Sequence, residues 1–193
     1  MLPHWQNIGY LQAGSSRQQA AYRILQRYAL LPLLHAYKPI LVGTFPLDIV
    51  IASSDLDIIC EVHDFQAFGQ LVAQHFGHCP AYATRHLQLG GLASLVISFQ
   101  LDEMEVEVFG QPLATEQQNG YQHMVVEARL LAASGPVFKE NIVRLKTQGL
   151  KTEPAFAALL GLPGDAYQAL LRLESATDAA LASLLPPCYG TDA

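Results

Sequence analysis

The sequence predicts an α+β protein: a mixed sheet of about five strands flanked by helices, with a helical region at the C-terminal end. Three observations carry that prediction. Strand-like runs cluster between residues 40 and 110, and helical period holds before them and again from Glu116 onward. The 193 residues are 51% hydrophobic with mean hydropathy +0.20, enough for one core with a helical extension and too apolar for a disordered chain.

Each element has a local reason. Ser15 and Ser16 precede RQQAAYRILQRYALL, whose apolar residues recur at helical spacing, so a capped helix is expected from about Arg17 to Leu31. Lys38-Pro39 breaks the chain before the apolar strand Ile40 to Val42, which ends at Gly43-Thr44. Ser53-Ser54 leads into a second strand, DLDIICEV. DFQAFGQLVAQHFG reads as a helix that Asp64 caps and Gly77 ends. YATRHLQL, ASLVISFQ and EMEVEVFG then supply three more strands. Later breaks fall at Gly135-Pro136, Gly149, the run from Gly161 to Gly164, and Pro186-Pro187. The expected organisation is an α+β core over residues 1–115, with a helical region over 116–193 packed on it as one compact unit.

Charge is scarce, at 15%, and unevenly placed. A net charge of −6 argues against a protein that holds nucleic acid by neutralising phosphates. Residues 55–107 carry eight acids (Asp55, Asp57, Glu61, Asp64, Asp102, Glu103, Glu105 and Glu107) against Arg85 alone. On a strand, residues i and i+2 share a face. Asp55 and Asp57 therefore project together, as do Glu103, Glu105 and Glu107, with Met104, Val106 and Val108 on the opposite side. An alternating strand with one wet face accounts for either run by itself.

The context adds a second reading. Val42-Gly43-Thr44 at a strand end, the acid-hydrophobic-acid triplet Asp55-Leu56-Asp57, and the later Val106-Glu107-Val108 resemble the signature of the polymerase-beta-type nucleotidyltransferase superfamily. LVGTFPLDI, SDLDIICE, VFGQ, QHMVVEARLL and LKTQGLKTEPAFA are similar to the bacterial family DUF4269, grouped with these enzymes, over about Tyr10 to Leu173. The resemblance implies a nucleotidyltransferase-like sheet and transfer of a nucleoside monophosphate from a nucleoside triphosphate to a hydroxyl. Asp55 and Asp57 would bind Mg²⁺ (or Mn²⁺), and Glu107 would be a further ligand or the base, with Glu105 second choice for that place. Gly43 would let the backbone approach the triphosphate and the Thr44 hydroxyl would donate to it. The superfamily carries Ser or a second Gly where this chain has Thr44, whose β-branch restricts its rotamers.

Cations to meet the phosphates must come from outside the acidic segment. Lys146 and Lys151 around Gly149, with Thr152 as a helix cap, and Arg17 at the first helix start are the candidates. His123 and Glu127, at i and i+4, read as a structural hydrogen-bonding pair. Cys60, Cys79 and Cys188 form no C-x-x-C pair and read as buried thiols in a reducing compartment. No signal peptide or membrane span is apparent, so a cytoplasmic location is expected. Expected partners are a nucleoside triphosphate and a small-molecule or protein acceptor, with nucleic acid and membrane disfavoured. The alternatives are a catalytically silent nucleotide-binding or protein-interaction module of antitoxin-like kind, and a pyrophosphate-transferring synthetase.

Overall fold

The computed structural model describes residues 4–189. Its described residues form two compact units, residues 4–48 with 53–121, and residues 49–52 with 122–189. The first unit holds the sheet. Its helices are α1 (Gly9–Gln12), α2 (Ser16–Arg27), α3 (Leu30–Leu33), α4 (Thr44–Leu47) and α5 (Phe65–Phe76). Its strands are β1 (Ile40–Val42), β2 (Leu56–Glu61), β3 (Ala83–Leu89), β4 (Leu92–Leu101) and β5 (Met104–Gln111), in the order β1-β2-β5-β4-β3. The pair β2–β5 is parallel and the other pairs are antiparallel, so the sheet is mixed, as the sequence predicts.

The strand period decides which face is dry. Leu56, Ile58, Val106, Val108 and Ile97 are fully buried and lie on one side. Helix α5 covers that side. Asp64 caps it by accepting from the Ala67 amide at 2.9 Å, and Phe76 stacks on Phe99 with ring centroids 4.7 Å apart. Gly110 is required beneath it, because a Cβ there would sit 2.8 Å from Val62 Cγ2 and 3.2 Å from Phe68 Cε1. The opposite face carries Asp57, Glu107 and Ser98, and the start of α6 (Asn119–Ala133) lies over its Val42 and Ile59.

The helix expected from Arg17 to Leu31 is two helices. Ser15 and Gln18 form a capping box at the start of α2, but the helix stops at Arg27 and Ala29 turns left-handed at φ 48°. Asp102 accepts from the Tyr28 hydroxyl at 2.8 Å and pairs with Arg27 at 3.3 Å, pinning the break. The new direction after it buries Leu30 and Leu34 completely.

The second unit is helical. It contains the remainder of α6, then α7 (Pro136–Thr147), α8 (Thr152–Leu160), α9 (Ala166–Leu171) and α10 (Asp178–Leu184). Phe138 packs edge-on against Phe156 and Tyr189 at 5.7 and 5.3 Å. Arg129 ties α6 to the last helix through Asp178 at 2.7 Å and the carbonyls of Glu174 and Ala176. Thr152 does not cap α8. Lys151 occupies the cap position and Thr152 is already helical, so its hydroxyl cannot serve the free amides. Of the three free thiols only Cys60 is buried; Cys79 sits half-buried in the turn after α5, and Cys188 is exposed near the end of the described chain. Among the described residues no helix is long and apolar enough to cross a membrane.

Candidate active site

Strand pairing brings together two of the three carboxylates in the motif. Asp57 on β2 lies directly opposite Glu107 on β5 in parallel register, and Glu107 in turn lies opposite Ser98 on β4. Neighbouring strands are about 4.8 Å apart. Asp57, Glu107 and Ser98 therefore form one row across three strands, all half-buried, on the face away from α5. Asp55 immediately precedes β2 and is half-buried. Glu105 is exposed and lies beside Gln100, one row from Glu107. The Asp57 register thus singles out Glu107 over Glu105 as its lateral neighbour. Among the described residues no three His, Cys, Asp or Glu side chains form a ready-made metal cluster; the geometry offers a carboxylate pair with Asp55 next along the chain.

The Gly43 position is built around Asp57. Val42 pairs with Asp57 across β1–β2, and Gly43 follows at φ 72° and ψ −139°, a conformation that side chains other than glycine rarely adopt. A Cβ on Gly43 would collide with Asp57 Oδ2 and lie 3.2 Å from Asp57 Cγ. The missing Cβ is what lets the carboxylate rest against the chain. The next residue, Thr44, is buried with its Oγ1 lacking any hydrogen-bond partner. A buried hydroxyl without a partner costs free energy unless something else satisfies it.

Sequence reasoning missed the brace behind this segment. Ser15 Oγ donates to Asp48 Oδ1 at 2.5 Å and Gln18 Nε2 donates to the Phe45 carbonyl at 2.8 Å, clamping α2 onto α4 next to Thr44. S-x-x-Q is a visible capping signal, yet nothing in it says that the same Gln reaches a carbonyl 27 residues away. Ser98 was missed as well, since only strand register reveals it.

The candidate cations have different fates. Arg17 is exposed in the first turn of α2. In the helical unit Lys151 is exposed at the start of α8, whereas Lys146 is buried and donates to the Ile49 carbonyl at 2.9 Å. His123 does not pair with Glu127: its Nδ1 lies 3.4 Å from Glu153 Oε1 and its Nε2 lies 3.0 Å from the Tyr167 carbonyl. Glu127 is buried with Oε1 unpartnered, because α8 offers His123 a carboxylate across the helix interface. Burial holds the Glu127 carboxyl well above the usual range; Glu153 pushes the same way and Lys146 opposes it.

Solved structures that superpose on the chain include the GLD-2/RNP-8 complex, at 12% identity over 75% of this chain and 56% of that one, TM-score 0.48. The polymerase core of TRAMP, an RNA surveillance complex, matches at 11% over 92% and 58%, TM-score 0.48. The Cid1 poly(U) polymerase bound to MgATP matches at 10% over 81% and 49%, TM-score 0.48. The chain spans about half the length of these proteins. No curated protein matches it. Residues 23–173 match the model of DUF4269, a domain of unknown function, and the chain belongs to that family.

Proposed function

We propose that the protein is a Mg²⁺-dependent nucleotidyltransferase that moves a nucleoside monophosphate from a nucleoside triphosphate onto a hydroxyl of a small molecule or a protein. The observation that carries this reading is the side-by-side register of Asp57 and Glu107, with Gly43 shaped to the Asp57 carboxylate. The donor set suits the ion. Mg²⁺ takes oxygen ligands and is commonly held by one or two carboxylates together with substrate phosphates, so a pair with Asp55 nearby suffices. When bound, the ion would neutralise phosphate charge. Asp57 and Asp55 would hold it, and Glu107 would accept the proton of the attacking hydroxyl. The unpartnered Thr44 Oγ1 would donate to a triphosphate oxygen, which relieves its orphaned state. Arg17, exposed in the same unit as the carboxylates, is the candidate there for further phosphate charge.

The test is thermal stabilisation by each of the four ribonucleoside triphosphates, with and without Mg²⁺, since a ligand that binds only the folded state raises its stability. At least one should stabilise the protein only with Mg²⁺, and Asp57→Asn should remove that effect. Absence of any Mg²⁺-dependent stabilisation would refute the reading. Binding without pyrophosphate release in the presence of candidate acceptors would instead place the protein among silent nucleotide-binding modules.

A further inference from the structure

The row that contains the carboxylates has a direction. From the β1 edge it runs Val42, with Gly43 just beyond it, then Asp57, Glu107, Ser98 and Ala83, crossing β2, β5, β4 and β3. Phosphoryl transfer keeps the attacking and leaving oxygens roughly in line on opposite sides of the phosphorus. If the leaving pyrophosphate lies toward Gly43 and Thr44, the attacking hydroxyl enters from the Glu107 side, and the body of the acceptor rests over β4 and β3. On that surface Ala83, Gln100 and Glu105 are exposed and Ser98 is half-buried, whereas Val96, between Arg85 and Phe109, is buried. In the row beyond Glu107 the side chains of Ser98 and Ala83 are small and uncharged, with Gln100 and Glu105 in the row beside them.

One residue there has no structural task. Arg85 is the only Lys or Arg on the five described strands. It is paired with Val96 on β4, and Val96 with Phe109 on β5, so by alternation it shares the face of Glu107 and Ser98. It is exposed and joins none of the described ion pairs, although the acidic segment around it offers many partners. From strand spacing and rise, its Cα lies about 12 Å from that of Glu107.

We propose that the acceptor is a small hydroxyl compound bearing an anionic group, carboxylate or phosphate, which Arg85 holds while the hydroxyl lies at Glu107. The assignment rests on the transferase reading above. In the step itself the acceptor oxygen bonds to the α-phosphorus. The bond from that phosphorus to the α–β bridging oxygen breaks, pyrophosphate leaves with the electron pair, and the hydroxyl proton passes to the Glu107 carboxylate. The Arg85 guanidinium suits either anion by bidentate hydrogen bonding, and a Lys would serve less well.

Three probes of one skeleton decide it: glycerol, glycerate and glycerol 3-phosphate. Each is titrated by calorimetry into protein saturated with Mg²⁺ and the α,β-methylene analogue of whichever ribonucleoside triphosphate binds. At least one anion should bind tenfold or more tighter than glycerol, and whether glycerate or the phosphate does so identifies the group. Arg85→Ala should erase the difference and Arg85→Lys should keep part of it, while both variants bind the triphosphate analogue as the wild type does. Equal binding of all three probes, none binding, or a preference that survives in Arg85→Ala would overturn the acceptor assignment and leave the transferase reading standing. Failure of the wild type to bind any triphosphate would overturn the transferase reading instead.

Discussion

Replacing Gly43 by Ala tests whether the Asp57 carboxylate is seated by the shape of the backbone. Two costs are expected. The conformation at φ 72° and ψ −139° is a strained one for any residue with a side chain, worth about 1–3 kcal/mol. The new Cβ also overlaps Asp57 Oδ2, and forced overpacking typically adds about 1–3 kcal/mol. The second cost disappears if the carboxylate is removed, because Asp57 Cβ lies 3.5 Å from the added methyl, an ordinary contact. A cycle of Gly43→Ala, Asp57→Ala and the double variant, measured by urea unfolding, should therefore show a coupling of about 1–3 kcal/mol. Gly161→Ala is the control for strain alone: φ is 64° and nothing lies within 4 Å of an added Cβ. It should cost less than Gly43→Ala. Gly43→Ala should also weaken Mg²⁺-dependent stabilisation by triphosphate, since Asp57 must swing away. Additivity within about 0.5 kcal/mol would refute the claim that Gly43 and Asp57 form one structural unit.

Other perturbations address the supporting structure. Glu127→Gln removes a buried carboxyl whose folded-state protonation range is raised by burial and by Glu153, against Lys146. Stability from such a group is fully present below its unfolded value of about 4.3 and is lost as pH rises through the folded value. The variant should thus match the wild type in acid and gain on it as pH rises toward neutrality; a constant difference in denaturant midpoints across that range would contradict the assignment. Gly110→Ala drives a methyl into Val62 and Phe68 beneath α5 and should cost about 1–3 kcal/mol by the same unfolding assay, with the Phe68→Leu background recovering part of it. Asp64→Ala removes the α5 cap and should cost about 1 kcal/mol, and Asn at the same place should restore most of it.

Local signals were legible wherever one segment settles its own structure. The capping serine, Asp64 and the alternating strands are cases in which neighbouring residues decide the outcome: the start of α2, the whole of α5 and strands β2, β4 and β5 agree with the expected bounds to within a residue or two. The misses need a distant partner. Tyr28 and Ala29 carry no helix-breaking residue, and the break there answers to Asp102, 74 residues further on. His123 and Glu127 have the spacing of a pair, but Glu153 on α8 competes successfully for the imidazole. For the proposed site, the superfamily resemblance pointed to Asp55, Asp57, Glu107, Gly43 and Thr44. Which glutamate of the alternating run stands beside Asp57 depends on parallel register, which no single strand encodes.

Sorting the central acids by what each one does sharpens the functional reading more than their number does. Glu61 is taken up by Lys38 at 2.8 Å and His63 at 3.1 Å, and the Lys38 ammonium beside it holds its carboxyl below the usual range. Asp64 is a helix cap, and Asp102 is the anchor for Tyr28 and Arg27. Glu103 and Glu105 are exposed, where charge costs little and serves solubility. Asp57 and Glu107 are set apart by position: both are half-buried and aligned across a parallel strand pair, with the half-buried Asp55 next along the chain. Placing two like charges side by side on a partly covered sheet face is unfavourable by itself. The backbone shaped at Gly43 to receive one of them, and the neighbouring Thr44 hydroxyl without a partner, are what the proposed reading of a site completed by a cation and an anionic substrate accounts for.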